Sequence, residues 1–147
     1  EADDAMGIYA TKNPGNIICS PDKDMRQIPG RLYDMENLTL INDTDGPRWH
    51  LVQSCSGDQT DGYSGIPGIG VKRATTIFES KGYSWKTVVD TYKEKDLTED
   101  DALLNARLAR ILTVEDYDFA NNKPIPWTPR ADYKIDDGAG SKAKAVV

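Results

Sequence analysis

The run Gly57-Asp58-Gln59-Thr60-Asp61-Gly62-Tyr63-Ser64-Gly65-Ile66-Pro67-Gly68-Ile69-Gly70-Val71-Lys72-Arg73-Ala74 restricts what this chain can fold into more than any other stretch. Gly65, Gly68 and Gly70 recur too closely for either a helix or a strand, and glycine is the residue that takes positive φ and leaves backbone N–H groups uncovered. A tight loop between two elements is predicted. Lys72 and Arg73 follow it at the start of a helix whose Ala74, Ile77 and Phe78 form the apolar stripe. Two cations and a helix N-terminus then stand beside the loop amides, an arrangement suited to an anion. The plainer alternative is a glycine turn that only packs.

Two familiar glycine loops fail on the letters. A nucleotide phosphate loop needs G-x-x-x-x-G-K-[ST]; Gly65 and Gly70 have that gap, but Val71 intervenes before Lys72 and Arg73 stands where a hydroxyl is required. A dinucleotide fingerprint needs G-x-G-x-x-G between a strand and a helix, whereas the order here is G-x-x-G-x-G with helical sequence on both sides. A helix-hairpin-helix, which grips a nucleic-acid backbone without reading its bases, fits the order and the flanks.

The net charge of −6 speaks against a simple electrostatic DNA binder, so the location of the 24 acids matters. Glu1, Asp3, Asp4, Asp22, Asp24, Asp58 and Asp61 fall in three clusters, and setting them aside leaves the other acids in near balance with the 18 Lys and Arg. Between Gly62 and Lys95 the cations Lys72, Arg73, Lys81, Lys86, Lys93 and Lys95 outnumber Glu79, Asp90 and Glu94, so the loop region is locally basic. At 147 residues the chain is one domain's worth, and no apolar run approaches the ~20 residues of a membrane span. Cys19 and Cys55 lack C-x-x-C spacing and read as two buried free thiols.

Along the chain, Asp3 and Asp4 suit the first turn of a helix with Ala5, Met6, Ile8 and Tyr9 as its apolar positions. An ordinary helix start explains them as well as a metal site does. After the turn at Asn13-Pro14-Gly15-Asn16, Ile17-Ile18-Cys19-Ser20 resembles a fully buried parallel strand, and Asp22 and Asp24 lie just past its carboxyl end, where α/β sheets carry their sites. A calcium loop would require an oxygen side chain at Arg26, so that pattern breaks. Met25 to Met35 reads as an irregular connection and Leu38 to Ile41 as an edge strand. Pro47 suits the first position of a short helix carrying Trp49, Val52 and Cys55, with His50 in a surface or capping role. Ser84 caps a helix with Trp85, Val88, Val89 and Tyr92 on one face, and Thr98 with Asp101 opens another with Leu104, Leu108, Ile111 and Leu112 as its stripe. From Tyr117 the pattern becomes an extended strap whose Trp127 packs on the body, and Asp136 onward reads as disordered.

Clustered carboxylates repel unless neutralised, and all-oxygen donors without His or Cys favour Mg²⁺ or Mn²⁺. Two such ions about 4 Å apart perform in-line phosphodiester hydrolysis in nucleases. A module that only binds DNA through the hairpin is the alternative, but carboxylates near phosphate would weaken it.

Glu1-Ala2-Asp3-Asp4, Ser20-Pro21-Asp22-Lys23-Asp24 and Gly57-Asp58-Gln59-Thr60-Asp61, followed at once by Gly65-Ile66-Pro67-Gly68-Ile69-Gly70, resemble in order the motifs of the structure-specific 5′-nucleases: bacteriophage 5′-3′ exonucleases, flap endonucleases and the 5′-nuclease domain of bacterial DNA polymerase I. Gln27-Ile28-Pro29-Gly30, Asp61-Gly62-Tyr63, Asn105 to Arg110 and Pro124 to Pro129 look like the short exonucleases of podovirus-type phages. The likeness covers about residues 1 to 130.

The resemblance implies an α/β fold, the back part of a PIN-like parallel-sheet core (1–56) followed by a helix-hairpin-helix DNA-binding subdomain (57–116), a strap (117–135) and a tail (136–147). It implies that Asp3, Asp4, Asp22 and Asp24 hold one Mg²⁺ or Mn²⁺, that Asp58 and Asp61 help hold a second, and that Glu1 supports them. Gly65, Ile66, Gly68, Ile69, Gly70, Lys72 and Arg73 would bind DNA, with K⁺ bridging the hairpin to a phosphate. The expected partner is duplex DNA with a 5′ end, nick or flap, met in a host bacterial cytoplasm by a protein that is monomeric when complete. Such enzymes begin with a strand bearing another metal-binding aspartate and a helical arch bearing Lys/Arg; this sequence shows neither ahead of Glu1, so poor cleavage by the chain alone is expected.

Overall fold

Apolar periodicity sorts the chain around two cores, and a computed structural model describes how they are joined over residues 2–135. The expectations for Glu1 and for 136–147 lie outside the described residues. Helix α1 (Ala2–Lys12) leads to strand β1 (Ile17–Cys19), a 3₁₀ helix (Lys23–Gln27), β2 (Gly30–Tyr33), β3 (Leu38–Ile41) and helix α2 (Asp45–Ser56). β1 and β2 are parallel, with Ile17 opposite Arg31; β2 and β3 are antiparallel, with Gly30 opposite Ile41. The sheet is therefore mixed where a parallel one was expected. β2 escaped the sequence reading because Ile28-Pro29-Gly30 signals a turn and the strand after it is too short to show alternation.

Pairing sends Ile18, Leu32 and Ile41 to the inner face, where they pack with Met25, Ile28 and Ile111. Ile17, Tyr33, Leu38 and Leu40 point the other way and are exposed, so β1 is half buried rather than fully buried. Cys55 is buried as expected, but Cys19 lies on the exposed face. Helix α1 also turns a different face inward from the one expected. Met6 and Ala10 touch the core, Gly7 is buried and Tyr9 is 61% exposed. A Cβ on Gly7 would fall 2.2 Å from the Leu112 carbonyl oxygen, so α1 closes on the chain through its smallest residue.

Helices α3 (Val71–Lys81), α4 (Trp85–Glu94) and α5 (Glu99–Ala109) form the second core against α2. Ala74 and Phe78 of α3 and Trp85, Val88, Val89 and Tyr92 of α4 are buried as read, and Thr98 with Asp101 forms the capping box that opens α5. The α5 stripe is a correction. Leu104 and Leu108 are 58% and 56% exposed, while Ala102, Asn105, Ala106 and Ala109 face inward. Small residues let α5 approach α2 closely, and a leucine stripe there would hold the two helices apart.

Helix α2 starts at Asp45, so Pro47 sits inside the first turn, where the missing N–H still breaks no intrahelical bond. His50 is not at the surface. It is fully buried, its Nε2 is 2.8 Å from the Ala106 carbonyl, and Trp127 meets its ring edge-on at 4.7 Å. Burial, ahead of the Arg110 charge, pushes the His50 pKa down to about 3. Trp127 packs on the body as expected, and its strap opens with a hairpin of β4 (Tyr117–Asp118) and β5 (Lys123–Pro124) that the sequence reading did not contain. Among the described residues no helix is long and apolar enough to cross a membrane.

The α5 face is checked by paired substitutions in urea denaturation. Ala106→Leu, which overpacks the contact with α2, should cost ~1–3 kcal/mol. Leu108→Gln should stay within ~0.5 kcal/mol because its side chain faces solvent.

Candidate metal centre and nucleic-acid interface

β1 ends immediately before the aspartate pair. Asp22 caps the 3₁₀ helix, its Oδ1 accepting the Asp24 N–H at 2.9 Å, which locks both residues into one turn. Helix α1 delivers Asp3 from its first turn. One carboxylate oxygen each from Asp3, Asp22 and Asp24 lies within 4.8 Å of the others, and the same holds for Asp24, Asp58 and Asp61. Asp24 belongs to both groups. Asp4 belongs to neither group; its Oδ1 accepts the Leu112 N–H at 3.0 Å and fastens α1 to the segment after α5.

Asp58 and Asp61 reach Asp24 because two glycines close the turn that carries them. Gly57 has φ +68° and Gly65 has φ +60°, and a Cβ on either would lie 2.4 Å or less from the other's segment. Between them Asp58 and Tyr63 pair antiparallel, the Asp58 N–H donating to the Tyr63 carbonyl at 2.8 Å and the Tyr63 N–H returning a bond at 3.2 Å.

Electrostatics distinguishes the two carboxylates. Asp24 is 5% exposed. Burial, then a hydrogen bond shared with Asp61, and the charges of Asp22 and Asp61 push its carboxyl up to about 7, with a bond from Gln53 pulling the other way. Asp58 titrates below its ordinary value: burial would raise it, but the Lys23 charge and the N–H groups of Thr60 and Asp61 outweigh that. Lys23 Nζ lies 3.4 Å from Asp58 Oδ2. Tyr63 is 4% exposed, and its hydroxyl is buried without a hydrogen-bond partner among the described residues. Burial first, then the charges of Asp24, Asp58, Asp61 and Asp22, raise its pKa, which places this hydroxyl in the field of the carboxylates.

The sequence reading missed the residues behind Asp24. Gln53 of α2 donates from Nε2 to Asp24 Oδ1 at 2.5 Å, and Gln27 Nε2 donates to Gln53 Oε1 at 2.7 Å and to the Ala109 carbonyl at 2.6 Å. Gln27 Oε1 in turn accepts the Ile111 N–H at 2.9 Å. The one available signal was a polar Gln53 inside the helical run Leu51 to Cys55, whose neighbours are apolar or small.

The glycine loop divides into an inner and an outer part. Gly65 N–H donates to Asn105 Oδ1 at 2.9 Å and Ile66 N–H to the Cys55 carbonyl at 2.8 Å, while Ile69 N–H bonds the Ile66 carbonyl at 3.1 Å. Ile66 and Ile69 are buried. These three amides are committed to the protein, contrary to the expectation of a bare Gly65 N–H. Gly68, at φ +80°, and Gly70 have open space where a side chain would stand. Gly70 precedes α3 without a side-chain cap, so no cap side chain satisfies the first-turn amides, and Lys72 and Arg73 beside them are exposed.

No protein-family model matches the chain. It is 29% identical over 173 residues to the exodeoxyribonuclease of Enterobacteria phage T3, across 89% of this chain and 56% of that protein. The chain is similar to phage exonucleases. The exonuclease of Escherichia phage T7 is 28% identical over 168 residues, across 88% of this chain and 56% of its own length. The similarity spans about half the length of each of these phage proteins and includes most of the described residues.

The raised Asp24 carboxyl carries a sign that can be measured without metal. Its folded pKa exceeds the ordinary 3.8, so ionising it costs the folded state nothing below about pH 4 and progressively more up to about pH 7. Asp24→Asn removes that cost. The variant's stability advantage over the parent should grow between those limits by on the order of 2–4 kcal/mol and then level off, at ~1.4 kcal/mol per pKa unit. Paired urea titrations in chelator at pH 4.5, 6 and 8 read it, and a difference independent of pH would contradict it.

Proposed function

We propose that this chain carries the metal-binding carboxylates and the backbone clamp of a 5′-3′ exonuclease or structure-specific 5′-flap endonuclease that hydrolyses DNA phosphodiester bonds by a two-metal mechanism. The observation that carries the reading is that Asp24 is common to two carboxylate groups, one built on the end of β1 and one on the turn that opens the glycine loop. The donors fit a pair of hard divalent ions. They are oxygens throughout, as Mg²⁺ or Mn²⁺ prefers, and both the raised Asp24 carboxyl and the unpartnered Tyr63 hydroxyl suit a group that brings positive charge and oxygen ligands. In this reading Asp3, Asp22 and Asp24 hold one ion, and Asp24, Asp58 and Asp61 hold the other. Bound there, the ions would supply an activated water and charge stabilisation for the leaving oxygen.

The chain's own part is placement. Gly68, Gly70 and the first turn of α3 offer N–H groups to phosphate, and Lys72 and Arg73 add charge without base recognition. K⁺ at the loop belongs to the same proposal. The 5′ polarity and the nick or flap substrate rest on the motif likeness, and the phage proteins it matches are named as an exodeoxyribonuclease and an exonuclease.

Two measurements address the halves separately. Mn²⁺ at a hundredfold excess over its Kd should stabilise the parent by ~2.7 kcal/mol, and Asp24→Asn should abolish most of that gain. Duplex affinity should fall with salt at about 0.9 log units per log unit of salt for each phosphate neutralised, and Lys72→Ala should flatten the slope by about one contact. The deciding assay follows a 5′-labelled flap and a nicked duplex with Mg²⁺, using the chain alone and the chain extended by the coding sequence upstream of Glu1. Cleavage by the extended form, lost on Asp58→Asn/Asp61→Asn replacement, is expected. Metal-dependent cleavage by neither form would overturn the nuclease reading.

A further inference from the structure

We infer that Gln27 and Gln53 form a one-way amide relay that holds Asp24 in a single orientation as the carboxylate shared by both metal positions, and that the relay is anchored on the backbone at the end of α5. The inference deepens the proposed function and rests on its metal-binding half.

The direction of the relay is dictated by its fixed end. The Ile111 N–H can only donate and the Ala109 carbonyl can only accept, so Gln27 must turn Oε1 to the first, at 2.9 Å, and Nε2 to the second, at 2.6 Å. The remaining N–H of Gln27 then points at Gln53, which must answer with Oε1, at 2.7 Å. That commits Gln53 to presenting Nε2 to Asp24, whose Oδ1 accepts at 2.5 Å. Flipping Gln53 would set acceptor against acceptor at Asp24 and donor against donor at Gln27. Flipping Gln27 would break both backbone bonds. With Gln27 5%, Gln53 1% and Asp24 5% exposed, water is not available to repair either error.

Asp24 needs such a support more than its neighbours do. Asp22 is oriented by the N–H of Asp24, and Asp58 by the N–H of Thr60 at 2.9 Å, both two residues away. For Asp24 the orienting bond comes from a residue 29 positions on, itself braced through Gln27 by the backbone at the end of α5. A carboxylate free to rotate serves one ion at a time, whereas one oxygen fixed by a donor holds the carboxylate plane and leaves the remaining lone pairs for both neighbours. Gln27 and Gln53 are positioning residues in this account, since neither is a ligand.

The test is Mn²⁺ calorimetry on the chain with melting temperatures recorded in parallel. Gln53→Met and Gln27→Met keep length and bulk but delete the relay, and each should weaken Mn²⁺ binding at least tenfold, the loss found when partners of metal ligands are removed. Val52→Ala, a buried α2 substitution outside the relay, should lower the melting temperature while leaving affinity within twofold. Relay variants that bind within twofold of the parent despite melting earlier would reduce the two amides to packing and overturn the inference alone. A parent chain that binds no Mn²⁺ would overturn the metal reading and the inference together. Should either variant fail to fold, the parent's Gln53 side-chain amide resonances decide: slow exchange and a shift on adding Mg²⁺ support the relay, and no shift overturns it.

Discussion

The backbone contact between Gly57 and Gly65 is the constraint on which the site depends. With positive φ at both and no room for a Cβ at either, the chain leaves α2, turns through Asp58 and Asp61 and returns to within contact of its own exit. One end of that turn delivers carboxylates to Asp24 and the other starts the loop that runs to α3. A side chain at either glycine would push the two segments apart, displacing the carboxylates and the loop together. The proximity of the two candidate functions is therefore a property of the backbone.

Closing the turn brings like charges together, and the protein offsets the repulsion only in part. Asp58 has Lys23 and the Thr60 N–H, and its acidity increases. Asp24 has one amide donor against burial and two neighbouring aspartates, and its carboxyl is held toward the protonated form. The difference follows from the nearest cation: Lys23, its own side chain 55% exposed, reaches Asp58, whereas no Lys or Arg pairs with Asp24 among the described residues. Stability traded for a ligand set in this way is characteristic of sites built for an ion.

Features carried by neighbouring letters were legible in the sequence. Asp22 with Asp24, Asp58 with Asp61, the glycine loop, the stripes of α3 and α4 and the capping box of α5 all depend on residues within a turn or two of each other. Features that depend on distant partners were not. The inward face of α5 is chosen by its fit to α2, so Ala102, Ala106 and Ala109 outcompete the more hydrophobic Leu104 and Leu108. His50 is buried because the Ala106 carbonyl and Trp127 receive it, 56 and 77 positions on. Gln27 finds its backbone partners 82 and 84 residues away, a separation at which no local pattern exists. Strand β2 fell between these cases, its proline and glycine speaking louder than three strand residues.

Helix α5 touches both halves of the site without contributing a ligand to either. Asn105 holds the Gly65 amide, and the Ala109 carbonyl with the Ile111 amide holds Gln27 and, through Gln53, Asp24. A rigid helix rises ~1.5 Å per residue, so the spacing between the glycine loop and the shared carboxylate is gauged by about one helical turn of α5. One residue inserted between Asn105 and Ala109 would swing one attachment by roughly 100° relative to the other. The outer face of this helix is open to change in composition, but its length is not.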